Sequence, residues 1–249
     1  MRALLTAIRF LTRVPVPGPH AGAEELGRAT IFFPVVGGLI GLLLAGVDVG
    51  TRLLWHSAPV SNALVIVTLV LVTGGLHLDG LMDICDGVFG GRDREQALQI
   101  MKDSRVGAFG VLGAICVLLL RFAFLFPLSG ALKWRGLVLM AAAGRWSFVY
   151  AIARFPYARP QGTGRAFKEQ VRGRHLFWAS VLAVGIGACL FRVKFLPLAA
   201  IAWLAVWAQA RYLSRKLGGL TGDAYGFIGE VTEVVILAAV PLATRIPWC

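Results

Sequence analysis

The stretch "GGLHLDGLMDICDG", residues 74–87, follows an apolar run long enough to cross a bilayer and places Asp79, Asp83 and Asp86 within eight positions. The run before it is one of several. The chain is 57% hydrophobic, with a mean hydropathy of +0.74 and only 15% charged residues. A spanning helix needs about 20 mostly apolar residues. Seven segments qualify: residues 31–54, 61–78, 108–128, 136–153, 176–192, 195–213 and 228–244. The fold class is therefore an all-α integral membrane protein, a polytopic bundle of about seven transmembrane helices in one membrane-embedded domain over residues 1–249. No polar connection is long enough for a second, water-soluble domain.

The N-terminus, "MRALLTAIRFLTRVPVPGP", is too short and too interrupted for a signal peptide. Arg2, Arg9 and Arg13 fall roughly on one helical face, with Leu4, Leu5, Ile8 and Leu11 away from it. Residues 1–14 thus predict a short amphipathic interfacial helix on the membrane surface, stopped by Pro15 and Pro17. An ordinary first core helix is the alternative.

The net charge of +12 would suggest a nucleic-acid partner in a soluble protein. Here the cations sit between apolar runs, as in loops that face the cytoplasm and anionic lipid head groups, so membrane lipid is the expected partner and nucleic acid is not. With the N-terminus in the cytoplasm, 17 lysines and arginines fall on that side and 6 on the other. This bias predicts an N-inside, C-outside topology. The acids follow the same map. Six of the 13 lie between Asp79 and Asp103, and Asp223, Glu230 and Glu233 form a second group. Residues 79–107 and 214–233 are accordingly the expected active-site segments, on the cytoplasmic face. Cys85, Cys116, Cys189 and Cys249 form no C-x-x-C pair, which argues against a zinc site or a disulfide framework. Cys116 and Cys189, inside apolar runs, read as packing residues.

If "DGLMDICD" is helical, Asp79, Asp83 and Asp86 stand at i, i+4 and i+7 on one face. Three carboxylates so placed repel one another unless a cation sits among them. Oxygen-only ligands point to Mg²⁺ or Mn²⁺; a solvated acidic helix end is the plainer reading. Downstream, in "GGRDREQALQIMKDSRVGAFG", Lys102 and Arg105 can hold phosphate oxygens or serve as lipid-facing charge. Asp103 is a further metal ligand or the partner of either cation. Asp93 and Glu95 read as first-turn acids of the following helix. His77 is either a base or a hydrogen-bonded structural group.

In "GGLTGDAYGFIGEVTE", Asp223 is a candidate ligand, with Thr221 or Asp223 also able to cap the last helix. Glu230 and Glu233 share a helix face at membrane depth, where acids are costly and default to function. Arg145 lies about two turns inside the fourth span, too deep to snorkel, and is expected to pair with a carboxylate or a substrate phosphate. Arg121 is expected to snorkel at its span end. Arg159, Arg165 and Lys168, in a glycine-bearing basic loop, either bind anionic lipid or grip a charged substrate. Acids able to hold a metal, beside lysine and arginine at one membrane face, suit phosphoryl or phosphodiester transfer from a pyrophosphate-like donor.

The stretch "GGLHLDGLMDICDGVFGG" followed by "ALQIMKDSRVGAFG" resembles the signature of the cobalamin synthase family, the adenosylcobinamide-GDP ribazoletransferases. "FLTRVPVP", "FFPVVGGLIG" and "GGLTGDAYG" match it in order, so the resemblance covers nearly the whole chain. Members often read "DGLADTADG", from which Met82, Ile84 and Cys85 depart while the aspartates and glycines do not.

The resemblance implies a Mg²⁺-dependent enzyme of the bacterial cytoplasmic (inner) membrane, active on its cytoplasmic face in the late, nucleotide-loop steps of cobalamin biosynthesis. A ribose hydroxyl of α-ribazole or its 5′-phosphate attacks the cobinamide-side phosphate of adenosylcobinamide-GDP. GMP leaves, and adenosylcobalamin or its phosphate forms. Under it, Asp79, Asp83 and Asp86 hold metal and diphosphate, and one of them takes the hydroxyl proton. Lys102, Arg105 and Arg145 stabilise phosphate oxygens, and Asp103 and Asp223 complete the metal shell or orient the acceptor. Self-association, or association with other nucleotide-loop assembly enzymes, stays open. "DICDG" also resembles part of the CDP-alcohol phosphotransferase pattern, although Gly-Gly stands where Ala-Arg is expected. A cation transporter is the alternative of another class.

Overall fold

The computed structural model describes residues 1–17, 22–160 and 162–245, so Cys249 lies outside the described residues. In chain order the helices are α1 (Arg2–Leu11), α2 (Ala23–Ala29), α3 (Phe33–Trp55), α4 (Ala58–Thr73), α5 (Leu76–Gly90) and α6 (Arg94–Ile100). They continue with α7 (Ala108–Leu125), α8 (Gly130–Arg154), α9 (Thr163–Gln170), α10 (Gly173–Phe191), α11 (Phe195–Leu217) and α12 (Gly222–Arg245). Short 3₁₀ turns join at Thr30–Phe32 and Arg192–Lys194. The all-α, polytopic architecture is as the apolar runs predict.

The helix α8 is the post around which the bundle is built. From Gly136 to Ile152 it is buried on nearly every side, against α3, α10 and α12. A helix apolar all round belongs in such a place. Gly37 and Gly41 of α3 lie directly on its backbone at Ala141 and Val138, where a Cβ would overlap main-chain atoms. Small residues four apart let two membrane helices approach this closely, and dispersion forces then hold them.

Among the described residues, five helical stretches are long and apolar enough to span, and a bent pair makes a sixth, against the expected seven. Two causes account for the difference. The expected segments 176–192 and 195–213 fall in one stretch, Gly173–Leu217, of 45 residues. A straight helix of that length would be about 68 Å long, over twice the bilayer core. The chain instead turns at Arg192, where φ is +52°, and Ala183 and Ala202 on either side of the turn line one cavity. The expected segment 61–78 ends early, at Thr73, because Gly74 and Gly75 adopt φ of +65° and +70° and turn the chain by 91° into α5. Side chains other than glycine rarely take two such residues in succession.

Buried polar groups fix the register at both ends of the bundle. Far from α5, the Lys133 ammonium is 1% exposed and donates to Asp48 Oδ1 at 2.5 Å and to Asn62 Oδ1 at 2.6 Å, while Ser61 donates to the same Asp48 oxygen. At the other end, α2, α6, α9 and the starts of α10 and α12 gather with the end of α11, joined by the Arg94 guanidinium on the Leu217 carbonyl at 2.8 Å. A backbone bridge also pairs Tyr157 with Leu220 there. The helix α1 is amphipathic, and its apolar side rests on protein: Ala7 and Leu11 are fully buried, and α1 packs on α2 and α3. Of the cysteines, Cys85 is buried, whereas Cys116 and Cys189 face outward, correcting their reading as packing residues.

Candidate active site

The helix α5 crosses α12 so closely that two glycines are required. Gly80 touches the backbone of Asp223, and Gly226 touches the backbone of His77. This crossing brings the two acid clusters together. Asp79 and Asp223 line a cavity of about 340 Å³ with His77, Tyr157, Arg159 and Tyr225. Asp83, half-buried one turn along, lies near enough to feel the charges of Asp223, Asp79 and Arg159. Among the described residues neither Asp79 nor Asp83 has a cationic partner within ion-pair distance. Arg159 pairs with Asp223 at 3.0 Å and also donates to the Met101 carbonyl, tying the cavity mouth to the end of α6.

Thr221 caps α12, its hydroxyl accepting the Ala224 N–H at 3.1 Å, so the capping alternative falls to Thr221 and leaves the Asp223 carboxylate at the cavity. Tyr157 sits beneath Gly164, and burial pushes its hydroxyl above the ordinary tyrosine range, so it stays protonated.

Asp86 stands apart, which corrects the expectation of three aspartates acting at one point. Its carboxylate accepts the N–H groups of Gly107 at 2.7 Å and Gly110 at 2.8 Å, at the start of α7. Sharing a face does not mean meeting: seven residues of helix put Asp79 and Asp86 about 10 Å apart along the axis. One end of α5 therefore serves the cavity while the other neutralises the α7 dipole. Asp86→Ala is expected to lower stability by about 2 kcal/mol, read as an earlier thermal midpoint in detergent, with Asp86→Asn recovering part of it. An alanine variant as stable as the parent would remove the capping role.

Other expected site residues go elsewhere. Arg145, Arg121, Glu230 and Glu233 form a buried ion network between α7, α8 and α12, below His77. Arg121 binds Glu230 at 2.7 Å and Glu233 at 2.5 Å, and Arg145 binds Glu233. Arg121 is 2% exposed, so it does not snorkel; Arg145 pairs with a carboxylate, one of the two partners expected for it. Neither these two arginines nor the two glutamates line the cavity.

Arg165 is exposed and pairs with Glu169 at 2.7 Å, and Lys168 closes the end of α8 by donating to the Ile152 carbonyl at 2.7 Å. Both contacts tie these cations to the fold, and neither side chain lines the cavity. Lys102, Asp103 and Arg105 lie exposed on the loop before α7, outside the cavity. Arg105 takes Asp103 at 2.7 Å and holds its carboxyl down to about 2, so Asp103 is a permanent anion already paired. Asp93 caps α6 through the Gln96 N–H, near its expected role.

Sequence reasoning missed the cavity's apolar wall. Phe10, Phe33 and Phe167, from α1, α3 and α9, form one aromatic cluster with centroids 4.6 to 6.0 Å apart. Phe148 of α8 packs on His77 at 4.6 Å. Their separation in sequence left no local signal.

Fold and site together define a class: a helical membrane protein whose oxygen donors and a guanidinium open onto a cavity walled by aromatic side chains. The chain belongs to the Cobalamin-5-phosphate synthase family, whose profile matches residues 3–241. It is 39% identical over 244 residues to the adenosylcobinamide-GDP ribazoletransferase of Desulforamulus reducens, covering 98% of each chain. It is 42% identical over 239 residues to that of Roseiflexus sp. (strain RS-1), covering 95% of this chain and 88% of the relative. The Herpetosiphon aurantiacus protein of the same name is 39% identical over 241 residues, covering 96% of both. No solved structure matches. The family match sets aside the CDP-alcohol phosphotransferase and cation-transporter readings.

Proposed function

We propose that this chain is an adenosylcobinamide-GDP ribazoletransferase that joins the cobinamide donor to α-ribazole or its 5′-phosphate with release of GMP. The observation that carries the reading beyond family membership is the meeting of Asp79, Asp223 and Arg159 in the lining of one cavity, with Asp83 one turn along α5 and within reach of their charges. The acceptor's ribose hydroxyl forms a new bond to the phosphorus next to cobinamide. The bond from that phosphorus to the GMP oxygen breaks, and the hydroxyl proton passes to a carboxylate. Asp83, without an ion pair, is suited to take it. Arg159 offers planar, bidentate donors to phosphate oxygens once Asp223 releases it.

A Mg²⁺ requirement belongs to the same reading. Among the described residues no three acid, histidine or cysteine side chains close on one point as a finished metal cage. The donor set nevertheless fits a hard cation: Asp79, Asp83 and Asp223 offer only oxygen and leave room for water and substrate phosphate. Bound there, Mg²⁺ supplies neutralising charge to the diphosphate oxygens. Sidedness is proposed from the 17-to-6 bias in cations, which puts the N-terminus and the cavity mouth at the cytoplasmic face of the bacterial inner membrane. The outward-facing leucines, valines and tryptophans of α3, α7, α10 and α11 support lipid as the surrounding partner.

The test is a GMP-release assay on the full chain in lipid nanodiscs with both substrates. Release should depend on both, vanish with a chelator, and return with Mg²⁺ or Mn²⁺. Absence of GMP release with Mg²⁺ and both substrates present would refute the activity.

A further inference from the structure

We propose that the cavity behind Asp79 and Asp223 is the seat of the acceptor's base, a flat, methylated benzimidazole, and that the donor's guanine stays outside it; this rests on the ribazoletransferase reading. The cavity has two chemically distinct ends. Asp79, Asp223 and Arg159 line its more exposed side, and the carbon surfaces of Phe33, Phe148, Ile152 and Phe167, with Phe10 partly buried beside them, line its buried side. At about 340 Å³ it accommodates a nucleoside and is far too small for a corrin ring. The cobinamide half must therefore approach from the mouth side.

Three buried polar atoms on the cavity wall lack a partner: His77 Nδ1 and the Tyr225 hydroxyl, on residues each 6% exposed, and Arg159 Nε beside Asp223. Buried polar groups are normally satisfied, and orphans gathered on one cavity wall mark where a ligand supplies the partners. A benzimidazole riboside offers partners to His77 and Tyr225 and leaves the Arg159 guanidinium to a phosphate oxygen. Its base has one free ring nitrogen to accept from the Tyr225 hydroxyl, ribose hydroxyls can meet His77, and two ring methyls need only apolar wall. Guanine carries an oxo group, an amino group, a ring N–H and two acceptor ring nitrogens along its edges. Most of these would be stranded against phenylalanine, and stranded polar groups oppose binding more strongly than made bonds favour it.

The covering strap fits the same occupant. Gly162, at φ +121°, and Gly164, whose backbone rests on the Tyr157 ring, bring the chain down over the cavity. On this assignment α1 contributes to the site, since its Phe10 lines the base pocket.

The test is direct binding to the full chain in nanodiscs, with α-ribazole and GDP as separate probes and GMP release followed in parallel. Phe148→Ala should weaken α-ribazole about tenfold by removing a stacking wall, and Tyr225→Phe about fivefold by removing one donor, with GDP within about twofold in both. Phe148→Ala should also narrow the preference for α-ribazole over an adenine riboside. Tyr225→Phe deletes one oxygen and decides the matter if the alanine variant does not fold. Weakened GDP, equal effects on both probes, or no effect on either overturns the assignment. Active protein with the wrong binding pattern refutes the pocket and leaves the transferase; correct binding without GMP release refutes the transferase and leaves the pocket.

Discussion

Asp83→Asn is expected to cut GMP release by about 10³-fold while leaving the protein at least as stable as its parent. The two halves of that result have one cause. Asp83 is half-buried and, among the described residues, accepts no hydrogen bond that the fold depends on, and three other carboxylates act on it, Asp223 most strongly. An amide removes a proton acceptor and a metal-seeking charge, so the reaction suffers. It also relieves repulsion among acids held together by the crossing of α5 and α12, so folding does not. Stability withheld at a working site in this way is a common trade. The measurement is paired: turnover with both substrates, and thermal midpoint in the same detergent. A variant that keeps more than a tenth of the parent's turnover would remove Asp83 from the chemistry. One that is inactive and also markedly less stable would assign it to the fold.

Glu233→Ala should do the reverse damage. The Glu233 side chain is 1% exposed and takes both Arg121 and Arg145, whose side chains are 2% and 1% exposed. Removing it leaves two buried guanidinium groups with Glu230 as the remaining acid. Breaking a buried ion pair by deleting one partner costs about 3–5 kcal/mol, because the orphaned charge remains in a poor solvent. The expected outcome is little folded protein, or a thermal midpoint lowered by many degrees, whatever the state of the cavity residues. Gly144 leaves room for the Glu233 side chain against α8, so the site is shaped for the glutamate as well as charged for it. Glu233→Gln keeps the shape and should fall between the alanine variant and the parent. An alanine variant that melts with the parent would show that the network does not hold α7, α8 and α12 together.

The two predictions separate groups that look alike in the sequence. Asp83 and Glu233 are both acids beside apolar runs, both in clusters, both plausible ligands. Their difference is set by what stands opposite them, and that comes from other helices: Arg121 is 112 residues from Glu233, and Asp223 lies on α12 while Asp83 lies on α5. The same holds for the basic residues. Arg159, Arg165 and Lys168 share one glycine-bearing segment, yet only Arg159 reaches the cavity; Arg165 stays on its own helix with Glu169, and Lys168 closes α8.

What the chain determines by itself is considerable. Long apolar runs leave the backbone no way to satisfy its polar groups in lipid except as helices, so the all-α class follows from hydropathy alone. The i, i+4, i+7 spacing puts the aspartates on one stripe of α5, and the glycine pair at Gly74 and Gly75 permits the bend before it. Only the tertiary structure decides how that stripe is divided. Crossing α12 at Gly80 turns Asp79 toward Asp223, and Asp83 beside them, while packing on α7 gives Asp86 to the amides of Gly107 and Gly110. Periodicity fixes the direction in which a side chain leaves its helix, and the neighbouring helix fixes what it meets.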